Sequence, residues 1–228
     1  MSNIYDHDLP VEIRNRLNYQ VLACDTETDG LEFRRDKLRL IQIATKEGDV
    51  YLVRNPDFTS YHVRDVLEAN TIIFHHAAFD LKFLQWWADI QIHYKSIRCT
   101  KTLAKILGYE FSGLGSCLKN ILGITLPNKE RKIAKSDWNI ADLSDEQTLY
   151  ATGDVIYLHQ LHNKLEDQLD WDNTGNYIQA IKTIKGIAEL EMKGLTDVLS
   201  YEGKPNLNLR RIYQEHINEI RKIVEGDK

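Results

Sequence analysis

The chain has 228 residues, 43% hydrophobic and 28% charged, with 29 Lys and Arg against 34 Asp and Glu for a formal net charge of −5. It is too hydrophobic for a disordered chain and too charged for a membrane protein, and no apolar run approaches the ~20 residues of a spanning helix. The acidic balance excludes a protein that coats nucleic acid by bulk charge, but not one that grips a strand locally.

The opening residues, Met1 to Asp8, hold no basic segment followed by an apolar one, so no secretory leader is expected. Residues 19–25 are an apolar run ending in an acid, 38–45 alternate and are rich in β-formers, and 49–53 follow a Gly-Asp turn. Joined by short links, these runs predict a meander of adjacent antiparallel strands. A helix is predicted over 60–68 and a fourth strand over 71–75. A helix follows over 78–88, where Phe79, Phe83, Leu84 and Trp87 recur at helical spacing. Helices are expected over 100–107 and 112–122, then a loop over 123–138 that carries a basic cluster. Ser144-Asp145-Glu146-Gln147 has the form of a capping box, opening one helix that runs to about residue 168.

A boundary is predicted at 169–174. Beyond it, 175–192 and 207–224 read as helices around a loop, and residues 172–228 carry nine basic and nine acidic side chains. Fewer than about 60 residues make a thin independent core, so this tail is expected to be a helical appendage. The predicted domains are therefore 1–170, an α/β sheet flanked by helices, and 171–228, a helical C-terminal extension. The three cysteines, Cys24, Cys99 and Cys117, form no Cys-x-x-Cys pair. They predict packing residues in a reducing, cytoplasmic compartment.

Three groups of acids stand out. Asp25-Thr26-Glu27 ends a buried-looking run, and alternation on a strand puts both carboxylates on one face. Lost hydration and mutual repulsion there would be relieved by a divalent cation; the triplet alone also fits an exposed acidic turn. Asp80 falls in the first turn of a helix just after a strand, where the helix dipole by itself favours an acid. Tyr150 and Asp154 are one helical turn apart, and Asp154 lies beside the apolar stripe of Val155, Leu158 and Leu161. His75 and His76 are adjacent and diverge, which makes them poor joint metal ligands.

Together these residues resemble the motifs of the DEDD superfamily of 3′→5′ exonucleases in its tyrosine-bearing branch. The likeness is greatest to the ribonuclease D group, and extends to the proofreading domain of family A DNA polymerases. Asp25-Thr26-Glu27 is similar to the first motif, Asp80 with its preceding strand to the second, and Tyr150-x-x-x-Asp154 to the third. Leu40-Ile41-Gln42-Ile43, the stretch from Gly113 to Lys129, and Ser136-Asp137-Trp138 resemble further parts of the ribonuclease D group. The likeness spans roughly residues 10–168.

The resemblance implies a ribonuclease H-like mixed sheet and hydrolysis of single-stranded nucleic acid from its 3′ end with two divalent cations, Mg²⁺ or Mn²⁺. A phosphodiester is anionic, and two such ions reverse the field of the carboxylates, activate water and stabilise the leaving oxygen. By the resemblance, Asp25 bridges both ions, Glu27 and Asp154 complete the water-activating site, and Asp80 holds the second ion through water. Tyr150 orients the attacking water with help from Glu27. Thr28 and Leu31 match positions that touch terminal nucleotides, though Leu31 also fits an ordinary turn leucine. Gln42 is a candidate strand contact or an outward strand residue. His76 stands where relatives often carry Asn; it is either a substrate contact with added pH dependence or a structural loop histidine.

Lys129, Arg131, Lys132 and Lys135 enclose one acid, Glu130, for a local charge of +3 that either receives a phosphate backbone or is simply solvated. Because the text around the motifs resembles the ribonuclease D group more closely, the resemblance implies RNA in preference to DNA. The alternatives are a DNA-directed exonuclease in repair or proofreading, and a catalytically silent nucleic-acid-binding module. No membrane partner is expected, and the length predicts a compact, stand-alone form.

Overall fold

The computed structural model describes residues 2–126 and 131–192. Strand β1 (Ser2–Asp6) and helix α1 (Val11–Leu17) precede the predicted meander, which forms as β2 (Val21–Thr28), β3 (Leu38–Ala44) and β4 (Val50–Arg54). Helix α2 (Tyr61–Ala69) leads to β5 (Thr71–Phe74), and α3 (Ala77–Ala88) leads to β6 (Ile97–Cys99). Next come α4 (Thr100–Ile106) and α5 (Leu114–Cys117), which continues into a π-helical turn over Leu118–Leu122. The chain then forms α6 (Arg131–Ala134), α7 (Asp145–Val155), α8 (Leu158–Glu166) and α9 (Trp171–Met192).

Among the described residues, six strands form one mixed sheet in the order β1-β4-β3-β2-β5-β6. β2, β3 and β4 are antiparallel neighbours, while β5 and β6 run parallel to β2. The central strands are buried on both faces: Leu22, Ala23, Ile41, Ile43, Tyr51 and Leu52 are inaccessible to solvent. Near-continuous apolar strands of this kind need helices on both sides.

The two edge strands escape a local reading of the sequence. β1 is largely polar and takes its strand form from parallel pairing with β4, Ile4 lying opposite Leu52. β6 is three residues long and pairs parallel with β5. Parallel partners are joined by long crossovers, so no turn signal announces them.

The single helix expected after Ser144 is two helices. α7 packs on β2, β3 and β4, whereas α8 packs on β5, β2 and α4. A turn at Ile156 and Tyr157 lets Ala151, Asp154 and Val155 face one part of the sheet and Leu158, Leu161 and Leu165 another. The expected loop over 123–138 contains the short helix α6.

α9 begins at Trp171 and packs against α3 and α4, burying Tyr177, Ala180, Ile181 and Ala188. The Tyr177 hydroxyl accepts a hydrogen bond from the Cys99 backbone N–H of edge strand β6 at 2.7 Å. This occupies a donor that an open sheet edge would expose. Tyr177→Phe leaves that buried N–H without a partner and is expected to lower unfolding stability by about 1–3 kcal/mol. Urea unfolding checks this; an unchanged midpoint would contradict it. Residues 193–228, including the predicted loop and the helix over 207–224, lie outside the described residues.

The three cysteines are free and buried. Burial, reinforced by the charges of Asp80 and Asp25, pushes the Cys24 thiol well up, so it is a packing group rather than a nucleophile. No described helix is long and apolar enough to cross a membrane.

Candidate active site

β2 runs through the middle of the sheet between β3 and β5. Its buried half, Leu22 to Cys24, anchors the strand, and its C-terminal half presents Asp25 and Glu27 on one face. α7 crosses β2 and β3 and brings Asp154 to them. One carboxylate oxygen from each of Asp25, Glu27 and Asp154 lies within 4.8 Å of the others. Asp25 is half-buried, and Glu27 and Asp154 are buried. Three carboxylates this close repel one another, and burial removes the water that would screen them.

Asp80 is outside this trio. It occupies the first turn of α3 and is 1% exposed. Thr26, whose side chain alternates away from those of Asp25 and Glu27, donates its hydroxyl to Asp80 Oδ1 at 2.8 Å. Asp80 Oδ2 is buried with no hydrogen-bond partner. Burial, together with the charge of Asp154 and against the Thr26 hydrogen bond, pushes the Asp80 carboxyl up to about 7. A buried orphan carboxylate oxygen that feels the charge of Asp154, together with an all-oxygen cluster of acids, fits a hard divalent cation, which wants such donors and removes the repulsion.

Tyr150 sits one helical turn before Asp154 and is half-buried. Burial, then the charges of Asp154, Glu27 and Asp25, raise its pKa far above the ordinary phenol value, so the hydroxyl keeps its proton and can donate. Its ring lies 6.2 Å from that of buried Trp138. The capping box explains how Trp138 is held. Ser144 and Gln147 exchange the two predicted hydrogen bonds, and the Gln147 amide also donates to Ser136 Oγ at 3.0 Å and to the Asp137 carbonyl at 2.9 Å. The cap of α7 therefore ties residues 136–138 against the helix that carries Tyr150.

The remaining sequence candidates are dispersed. Thr28 is half-buried and donates to the Gly30 carbonyl at 2.5 Å. Leu31 is 84% exposed, on a turn braced by a two-bond Arg39–Asp29 pair and by Asp36 accepting from the Glu32 N–H. A Cβ on Gly30 would collide with the Asp36 carboxylate, so a side chain there would have to displace Asp36 from the Glu32 N–H. Gln42, a candidate strand contact, is fully buried, and its amide donates to Glu27 Oε1 at 3.3 Å. His75 is buried between Thr100 Oγ1 and the Ser112 carbonyl, 2.9 Å from each, a structural role.

His76 is exposed at the start of α3 and stacks on Phe79. Desolvation of the ring, then the charges of Lys101, Lys82 and Lys105, lower its pKa to about 4. With its pKa lowered in this way, the ring is neutral near pH 7. Sequence reasoning missed those three lysines because they come from two helices and form no run. Of the predicted basic cluster, Lys132 and Lys135 are exposed and Arg131 opens α6, while Lys129 lies outside the described residues.

A family model described as 3′-5′ exonuclease matches residues 1–170. DNA polymerase I of Aquifex aeolicus is 31% identical over 169 residues, covering 72% of this chain and 27% of the polymerase, so the chain spans about a quarter of that relative. Among solved structures, Brucella melitensis NrnC superposes with a TM-score of 0.77 at 27% identity, covering 86% of this chain and 96% of NrnC. That protein has also been solved with bound Mg²⁺ and bound to pGG. Escherichia coli RNase D shares the fold, with a TM-score of 0.66 at 17% identity over 97% of this chain and 62% of RNase D. The match over most of the chain agrees with the mixed sheet and its cluster of acids: the chain belongs to the 3′-5′ exonuclease family, enzymes that hydrolyse nucleic acid.

Proposed function

We propose that this chain removes nucleotides from the 3′ end of single-stranded nucleic acid, RNA in preference to DNA, with two divalent cations, Mg²⁺ or Mn²⁺. The observation that carries this reading is the convergence of Asp25, Glu27 and Asp154 within 4.8 Å, with the orphan oxygen of Asp80 and the protonated Tyr150 alongside. Bound divalent cations supply the positive charge that admits an anionic phosphodiester and lower the pKa of bound water. Asp25, Glu27 and Asp154 hold them, and Asp80 contributes directly or through water. Tyr150 donates to the attacking water and fixes its direction, while Glu27 accepts from it.

Thr28, exposed Leu31 and neutral His76 contact the terminal nucleotides in this reading. The basic segment of Lys129, Arg131, Lys132 and Lys135 attracts the phosphate backbone. The catalytic unit is 1–170, residues 171–228 extend it, and the enzyme works in the cytoplasm. NrnC in complex with pGG supports a nucleic-acid substrate for this shape of site. The 31% identity to DNA polymerase I favours DNA as the second reading.

Digestion of matched single-stranded RNA and DNA, with and without Mg²⁺ or Mn²⁺, separates the two. Metal-dependent shortening from the 3′ end, faster on RNA, is expected. Faster loss of DNA would establish the second reading, and no digestion of either would overturn both.

A further inference from the structure

We propose that Gln42 is a positioning residue that orients Glu27 for divalent-metal binding, a role distinct from the strand contact expected of it. The proposal rests on the metal-dependent reading above. Gln42 lies on β3 directly opposite Asp25, and directly paired residues of antiparallel strands project to the same face. That face also carries Glu27 and is covered by α7. Gln42 is inaccessible to solvent, as are its neighbours Ile41 and Ile43, so no nucleic-acid strand can reach its amide. Its Nε2 donates to Glu27 Oε1 at 3.3 Å, and its own Oε1 is buried with no hydrogen-bond partner.

An apolar side chain would suit that position better on packing alone. A buried amide with an unsatisfied oxygen costs free energy that only its N–H donation to Glu27 offsets. Donation from a neutral amide stabilises the ionised carboxylate beside Asp25 and Asp154 without placing a competing cation in the site. It also ties down one oxygen of Glu27, which fixes the direction in which the other is presented. Groups that hold a ligand's second atom in this way typically change metal affinity by about 10–100-fold when removed.

The test is Mn²⁺ titration by calorimetry on the full chain and on Gln42→Met, with circular dichroism to establish folding. The variant is expected to bind Mn²⁺ about 10–100-fold more weakly, with a reduced kcat and a nearly unchanged KM for the strand. Gln42→Asn keeps the polarity, withdraws the donor by one methylene, and carries the test if Gln42→Met does not fold. A folded variant that binds Mn²⁺ within twofold of the unsubstituted chain would overturn the proposal while leaving the metal reading intact. Absence of Mn²⁺ binding by the unsubstituted chain would instead overturn the metal reading, and the role of Gln42 with it.

Discussion

Asp25→Asn is expected to reduce hydrolysis by about 10³-fold or more, the equivalent of roughly 4 kcal/mol of lost transition-state stabilisation. Asp25 is the half-buried member of a trio whose other two acids are buried, so it is the carboxylate most open to an incoming phosphate. Asparagine preserves its shape and removes its charge. The site then loses a third of the trio's negative charge and with it much of its hold on a divalent cation. Folding is expected to survive because the substitution also removes repulsion from Glu27 and Asp154. Thermal unfolding without metal should therefore give a Tm no lower than that of the unsubstituted chain. Added Mn²⁺ should raise the Tm of the unsubstituted chain and leave that of the variant nearly unchanged, because a ligand stabilises only the state that binds it. Full activity in the purified, folded variant would remove Asp25 from the site.

Tyr150→Phe is expected to lower kcat by about 10–100-fold with little change in KM, the loss associated with a misdirected nucleophile rather than a weakened complex. The ring should stay in place, because Trp138 packs on it and the cap of α7 holds residues 136–138. Only the hydroxyl is lost. With its pKa raised far above the ordinary phenol value, that hydroxyl works as a hydrogen-bond donor and not as a base. The rate of Tyr150→Phe relative to the unsubstituted enzyme should therefore stay constant between pH 7 and 9. Single-turnover kinetics on a short strand measure this. An increase in KM with kcat unchanged would assign Tyr150 to substrate binding alone.

The acids were legible in the sequence because their chemistry is tied to local periodicity. Asp25 and Glu27 share a strand face by alternation, and Tyr150 and Asp154 share a helix face by the four-residue spacing. The meander of β2, β3 and β4 was legible for the same reason. What escaped depends on contacts between distant segments. β1 is a strand because β4 lies beside it, and the N–H of β6 is covered by a tyrosine 78 residues further along. The break between α7 and α8 follows from packing on two parts of the sheet, β2–β4 and β5, and from no helix-breaking residue. Thr26 and Gln42 were hidden within recognisable stretches. Their roles appear only once Asp80 arrives from α3 and β3 pairs with β2. Gln42 fitted the alternation of its strand as an outward residue, and its burial and its bond to Glu27 emerge only from the adjacent strand.

The most direct measurement is the release of nucleoside monophosphates from a 3′-labelled single strand, followed in Mg²⁺ or Mn²⁺, in chelator, and with Asp25→Asn. The account predicts stepwise release from the 3′ end that requires metal and is abolished by the substitution. Release in chelator, release by Asp25→Asn at a rate near that of the unsubstituted chain, or internal cleavage in place of terminal release would contradict it.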